Sequence, residues 1–221
     1  MTRELFHREL SELQDDVLVL GSMVEKAVLD SMEALRDGDM VWSHKIIEDD
    51  KRINAKRFAI EERAIFVIGS QQPMATDLRT LVSMLYIVTD LERIADHAEG
   101  IARINVLLGD EPLPRKLGYI PSMADRAVQM LRDSLKSYLD GDVDLARRVC
   151  LADDEVDRLY DSVQDETIRA MVAEPSTIQR NTYLLWTSHN LERIADRCTN
   201  IAERVIYTVT GRMEEINVST Y

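Results

Sequence analysis

The chain has 221 residues, of which 45% are hydrophobic and only 5% aromatic. Abundant aliphatic residues with few aromatic ones favour a core of packed helices over one of strands. The formal net charge is −13, from 40 acidic and 27 basic side chains. A surface with this charge repels phosphate backbones, so we expect no nucleic-acid partner.

Breaker and capping residues divide the first half of the chain into three long predicted helices. The first covers about 3–36 and ends at Asp37-Gly38-Asp39, where glycine suits a helix stop and the following aspartate suits the next helix cap. The second reaches about Gly69. Pro73 then marks a turn before the third, over about 74–108.

The second half repeats this order after a segment that contains two glycines and three of the five prolines. We predict helices over about 122–140, up to about 173, and over 177–210, with breakers at Asp140-Gly141-Asp142 and Glu174-Pro175. The expected fold is all-α: two tandem three-helix bundles related by internal duplication, at 1–109 and 122–221, joined by a linker at 110–121. No segment has the roughly 20 apolar residues that cross a bilayer, and the first residues contain no apolar leader, so we expect a cytoplasmic protein.

The clearest repeated motif is the hexapeptide Leu-Glu-Arg-Ile-Ala-Asp, which begins at positions 91 and 191. Glu92 and Asp96 in the first copy, like Glu192 and Asp196 in the second, are four residues apart, which places both carboxylates on one helix face. Like charges at this spacing repel by a few tenths of a kcal/mol. A bound cation would offset that repulsion in both copies.

The second helix of each half offers matching oxygen donors at the same helical spacing. Asp50 and Asn54 provide them in the first half, and Asp153 and Asp157 in the second. Four side-chain oxygens between two helices suit Mg²⁺, Mn²⁺ or iron better than zinc, which favours cysteine and histidine. The pattern therefore predicts one metal site in each half.

Ion pairing offers an alternative in which the acidic faces are only solvated surface on a plain helical scaffold. Three pairs have suitable spacing: Arg93 with Asp96, Arg193 with Asp196, and Glu99 with Arg103. His97 and His189 flank the hexapeptides in non-equivalent positions, which indicates surface residues or occasional outer ligands.

The sequence contains none of four common catalytic or nucleotide-binding motifs: GxSxG, the P-loop, GxGxxG and HExxH. Long helices with few connecting residues leave little loop for an active site. We therefore expect a binding protein and not an enzyme. A metal-dependent helical phosphohydrolase is the enzymatic alternative, and it would need histidine or lysine near the carboxylates.

Three segments are informative together: Gln-Pro-Met-Ala-Thr-Asp-Leu-Arg at 72–79, the hexapeptide at 91–96, and Leu-Glu-Arg-Ile-Ala-Asp-Arg-Cys-Thr-Asn-Ile at 191–201. In combination they resemble the PhoU family of phosphate-uptake regulators. The resemblance implies a cytosolic homodimer, peripherally associated with membrane complexes, that negatively regulates phosphate-starvation signalling. It also implies two partners, the ATPase subunit of an ABC phosphate transporter and a membrane sensor histidine kinase.

The resemblance further implies that the carboxylate pairs of both hexapeptides, with their partners on the second helices, hold divalent metal or iron clusters. Asn54 departs from this pattern, because it is neutral where the second half has Asp157. The first site is therefore expected to bind metal more weakly. We do not expect such acidic faces to hold phosphate directly, although phosphate could bridge through bound metal.

Overall fold

The computed structural model describes residues 3–109, 118–214 and 216. Within them the chain forms no strand and six α-helices: α1 (Arg3–Asp37), α2 (Met40–Gln71), α3 (Thr76–Leu108), α4 (Ile120–Asp140), α5 (Val143–Ala173) and α6 (Ile178–Thr210). One turn of 3₁₀ helix, Pro175–Thr177, precedes α6. The all-α prediction is confirmed. Most of the predicted linker, residues 110–117, lies outside the described residues, and the exact repeat boundaries stay a prediction.

The repeated Asp-Gly-Asp segments end one helix and begin the next, as expected. Asp39 and Asp142 each accept a hydrogen bond from the backbone N–H three residues further on, at 2.8 and 2.9 Å, and so cap α2 and α5. Gly38 and Gly141 adopt φ values of +66° and +63°, which glycine reaches without steric cost. Local sequence therefore sets these helix boundaries.

The turn between α2 and α3 differs from the prediction. α2 continues past Gly69 to Gln71, and α3 begins at Thr76 instead of Met74. Gln72 and Ala75 take φ values of +49° and +51°, in the region that non-glycine residues rarely adopt. Two residues with positive φ, Gln72 before Pro73 and Ala75 just before the first residue of α3, therefore delay the start of that helix.

Each half of the chain forms a three-helix bundle, and the two bundles pack against each other. α1, α2 and α3 contact one another, as do α4, α5 and α6, while α3 also contacts α6 and α1 contacts α4. A continuous cluster of buried apolar side chains extends through both bundles. The helices that carry the two hexapeptides therefore lie side by side at the junction. No helix in the described part of the chain is both long enough and apolar enough to span a bilayer.

A buried amide connects all three helices of the first bundle. Asn105 on α3 donates from Nδ2 to the carbonyl oxygen of Ala34 on α1 and to Oγ of Ser43 on α2, both at 2.9 Å. Asn105 exposes only 1% of its surface. Because a buried amide must find hydrogen-bond partners, these contacts fix the register of the three helices near the C-terminal end of α3.

Candidate functional site

The acidic face of α3 lies against α2, as the sequence predicts. Burial and the charges of Glu99, Asp96 and Glu92 raise the pKa of Asp50 to about 6. Its Oδ2 accepts a hydrogen bond of 2.7 Å from Asn54, whereas its Oδ1 is buried without a hydrogen-bond donor among the described residues. The other three predicted residues of the first half thus lie within hydrogen-bonding or electrostatic reach of Asp50, and Asp96 among them is exposed.

Arg57 supplies positive charge at this first site, although it is not among the predicted residues. Its Nη1 lies 3.1 Å from Oε1 of Glu92, and its Nε lies 2.9 Å from Oε1 of Glu61. Positions 50, 54, 57 and 61 follow the spacing of a single helix face, so this pattern could have identified both Arg57 and Glu61.

The corresponding face of α6 is more deeply buried against α5. Glu192 and Asp153 each expose only 2% of their surface. Burial, with the charges of Asp196 and Asp157, raises the pKa of Glu192 to about 7. Burial and the charge of Asp196 likewise raise the pKa of Asp157. These three carboxylates therefore lie within electrostatic reach of one another, and Asp153 is buried one turn before Asp157 on α5.

Arg193 and His189 contact the carboxylates of this second site. The Nε of Arg193 is 2.8 Å from Oε2 of Glu192, and its Nη1 is 2.8 Å from Oδ2 of Asp196. His189 lies on the same face of α6, with Nδ1 3.6 Å from Oε2 of Glu192. His189 is thus placed as an outer neighbour of the carboxylates. His97, by contrast, shares a hydrogen bond of 3.0 Å with Asn190 across the α3–α6 contact.

Two of the three ion pairs predicted as the alternative to metal are present. Arg193 pairs with Asp196, as described above, and Arg103 Nη2 lies 2.6 Å from Glu99 Oε1. Arg93 forms no ion pair with Asp96 within residues 3–109, although its charge opposes the rise in the pKa of that carboxyl that burial causes. Arginine therefore neutralises part of each acidic face.

The carboxylate and amide oxygens of the two predicted sites suit a hard cation, but they are not arranged as a ready coordination shell. Among the described residues, no three His, Cys, Asp or Glu side chains are grouped closely enough to hold a metal ion. The pKa values of Asp50, Asp96, Asp157 and Glu192 are nevertheless raised, chiefly by burial and then, in all four, by the charge of a neighbouring carboxylate. Clustered carboxylates short of positive charge show this behaviour. Metal binding stays a prediction.

This architecture and sequence match a known protein family. The family model of the PhoU domain matches the chain twice, at residues 17–104 and 120–205, and each match contains one acidic site. The phosphate-specific transport system accessory protein PhoU homolog of Clostridium acetobutylicum is 38% identical over 218 residues, which cover 98% of this chain and 100% of that protein.

Two crystal structures share the complete fold. PhoU from Pseudomonas aeruginosa superimposes with a TM-score of 0.89 at 35% identity, covering 94% of this chain and 100% of that one. The phosphate transport system regulatory protein PhoU from Streptococcus pneumoniae also gives a TM-score of 0.89, at 30% identity, covering 95% and 99%. The expected pair of three-helix bundles is thereby confirmed.

Proposed function

Because the chain belongs to the PhoU family, we propose that it is a regulator of phosphate uptake and phosphate homeostasis that acts by binding other proteins. The observation that carries this proposal is the full-length match of both repeats to relatives named for the phosphate-specific transport system. In the proposed role the protein negatively regulates phosphate-starvation signalling. Its partners are the ATPase subunit of an ABC phosphate transporter and a membrane sensor histidine kinase, and it works as a cytoplasmic homodimer.

The acidic faces are the proposed cation-dependent part of the binding surface. The residues that would hold a cation are Asp50, Asn54, Glu92 and Asp96 in the first repeat, and Asp153, Asp157, Glu192 and Asp196 in the second. Mg²⁺, Mn²⁺ or iron suits these oxygen donors better than zinc. Bound positive charge would neutralise carboxylates that arginine only partly neutralises. The buried Oδ1 of Asp50, which has no donor among the described residues, supports this assignment.

Metal content provides the first test of these faces. Elemental analysis of protein purified without chelator should find metal in the wild type and not in a variant that combines Glu92→Ala, Asp96→Ala, Glu192→Ala and Asp196→Ala. A control variant removes the same charge from four exposed acids: Glu33→Ala, Glu48→Ala, Asp165→Ala and Glu174→Ala. Equal metal content in all three proteins would remove the metal sites from the proposal.

Partner capture provides the second test. Purified protein should retain the transporter ATPase subunit and the cytoplasmic part of the sensor kinase in the presence of Mn²⁺, and should retain less of both in EDTA. Binding that is undiminished in EDTA would instead indicate the plain helical scaffold. Failure to capture either partner under both conditions would contradict the proposed mode of regulation.

The contact between His189 and Glu192 favours one enzymatic alternative. A histidine next to a carboxylate of raised pKa can transfer protons, as a metal-dependent phosphohydrolase would require. We propose that the protein is not an enzyme. A screen of phosphate esters with added Mn²⁺ should therefore detect no turnover, whereas turnover that Asp153→Ala abolishes would establish the alternative.

A further inference from the structure

A groove with a volume of about 400 Å³ lies between α3 and α6, apart from both acidic faces. Side chains from both repeats line it: Tyr86, Asp90 and Arg93 from α3, and Arg197, Asn200 and Arg204 from α6. None of the residues assigned to the metal sites contributes to its lining. The groove therefore belongs to the junction of the two bundles.

Three guanidinium groups converge on this groove in a chain whose net charge is −13. Arg197, Arg204 and Arg93 each lower the pKa of Asp90, although burial outweighs them and the pKa remains raised. All three cations thus lie within electrostatic reach of a single carboxylate. This arrangement concentrates positive charge where the rest of the chain is acidic.

Asp90 does not satisfy all the hydrogen-bond donors of these three arginines. Arg197 Nη1 is 3.6 Å from Asp90 Oδ1, and Arg197 Nε is buried without a hydrogen-bond partner among the described residues. The guanidinium carbon of Arg204 lies 4.1 Å from the ring centroid of Tyr86, and this stacking leaves the N–H groups at its edge available. Neither Arg93 nor Arg204 forms an ion pair within the described residues.

The carboxylates of the groove leave a surplus of positive charge. Asp90 and Glu203 are the two acids in its lining, against three arginines. Glu203 Oε1 already accepts a hydrogen bond of 3.0 Å from the backbone N–H of Ile216. Asn200 donates to Asp90 Oδ1 at 3.3 Å, so it too helps to satisfy that carboxylate. Unused guanidinium donors therefore remain for a ligand.

We propose that this groove binds a phosphoryl-type oxyanion, either inorganic phosphate or the phosphate group of a small ester. Arginine suits such a ligand because its planar fork forms paired, charge-assisted hydrogen bonds with tetrahedral oxyanions. The volume falls within the range of small-molecule sites, about 300–1,000 Å³. Tyr86, which is 50% exposed, offers an aromatic surface beside the arginines for the rest of an ester. The ligand bridges the central helices of the two repeats.

Titration calorimetry on the purified full-length protein tests this site independently of any regulatory partner. Inorganic phosphate and glycerol 3-phosphate are titrated separately at constant ionic strength, in EDTA so that phosphate cannot bridge through metal. Arg93→Ala combined with Arg204→Ala should weaken binding at least about tenfold. The control, Arg52→Ala with Arg169→Ala, removes the same charge from exposed positions outside the groove and should bind like the wild type.

Asp90→Asn provides a variant with the opposite expected effect. The amide keeps the shape of the side chain but no longer competes for the guanidinium groups, so the oxyanion should bind several-fold more tightly. Binding of glycerol 3-phosphate alone would identify an ester as the ligand, and binding of both would identify the phosphate group itself. The proposal fails if the wild type binds neither at about 10 mM, if the control variant weakens binding equally, or if Asp90→Asn leaves affinity unchanged.

Discussion

Glu92 and Glu192 occupy equivalent positions in the two repeats, but their carboxylates pair with arginines from different helices. Arg57 reaches Glu92 from α2, with Nη1 3.1 Å from Oε1, whereas Arg193 contacts Glu192 from the next position on α6. The Glu92 side chain is 16% exposed, and Glu192 is buried. The two faces therefore carry the same carboxylates in different electrostatic surroundings.

Replacing Asn54 with aspartate tests how this difference affects cation binding. In the absence of metal, Asn54→Asp should destabilise the fold, because it exchanges a 2.7 Å hydrogen bond to Asp50 for a pair of like charges. With Mn²⁺ present, the added carboxylate should tighten binding about tenfold, or ~1.4 kcal/mol. Calorimetry and urea denaturation in EDTA measure the two effects. Gln129→Glu, at an exposed position, is the control, and equal effects in both variants would contradict the site assignment.

The raised pKa of Glu192 predicts a specific pH dependence of stability. Its carboxyl ionises near pH 4.5 when unfolded and near 7 when folded, so the folded state holds the proton more tightly and stability falls as pH rises through this window. The Glu192→Gln variant has no carboxyl to ionise at this position, so it does not lose stability in this way as the pH rises. In EDTA, its free energy of unfolding relative to wild type should therefore increase by on the order of 2–3 kcal/mol between those pH values.

Urea denaturation at several pH values checks this expectation, with Glu48→Gln as the control for loss of one exposed carboxylate. A parallel pH profile for wild type and Glu192→Gln would show that burial does not perturb Glu192. Saturating Mn²⁺ should reduce the difference between wild type and variant at high pH, since the cation requires the ionised carboxylate.

The contact between α1 and α4 can be tested at a glycine. A Cβ atom at Gly21 would lie 2.5 Å from Cδ1 of the buried Leu135, so Gly21→Ala must displace that side chain. We expect a loss of about 1–3 kcal/mol in the free energy of unfolding. Gly69→Ala, where no atom lies within 4 Å of the added Cβ, should instead stabilise the protein by about 0.4–1 kcal/mol. Chemical denaturation that gave both variants the same sign would contradict the packing of α1 on α4.

The buried amide of Asn105 should be essential to the first bundle. Asn105→Ala leaves the carbonyl of Ala34 and the hydroxyl of Ser43 without their 2.9 Å partner, and should cost about 2–3 kcal/mol. Gln129→Ala, which removes an exposed amide on α4, should change stability by less than about 0.5 kcal/mol. Thermal and urea denaturation measure both, and similar losses would refute the proposed role of the amide.

Local chemistry made much of the fold predictable from the sequence. Asp39 and Asp142 cap helices where the repeated tripeptides indicated, because capping depends on a few neighbouring residues. The facing of α2 and α3 was also predictable, because polar residues at helical spacing define a face. Arg57 and Glu61 continue the same spacing two turns beyond Asp50 and Asn54, so they too are predictable as members of this face.

Contacts between the repeats were beyond prediction from sequence. The hydrogen bond between His97 and Asn190, and the approach of Arg197 to Asp90, join residues about a hundred positions apart. Nothing in the periodicity of either helix specifies which face of α3 meets α6. The groove between α3 and α6 exists only because these two helices pack in this orientation. From the sequence alone, its arginines therefore look like separate surface charges.

The helices that touch across the junction are counterparts: α1 meets α4, and α3 meets α6. Contacts between like surfaces are what a two-fold axis generates. A half-length ancestor with a single repeat would thus already have possessed a self-complementary face, and fusion would have made that pairing permanent. Once joined, the copies were free to diverge, which allowed one to carry Asp157 where the other carries Asn54.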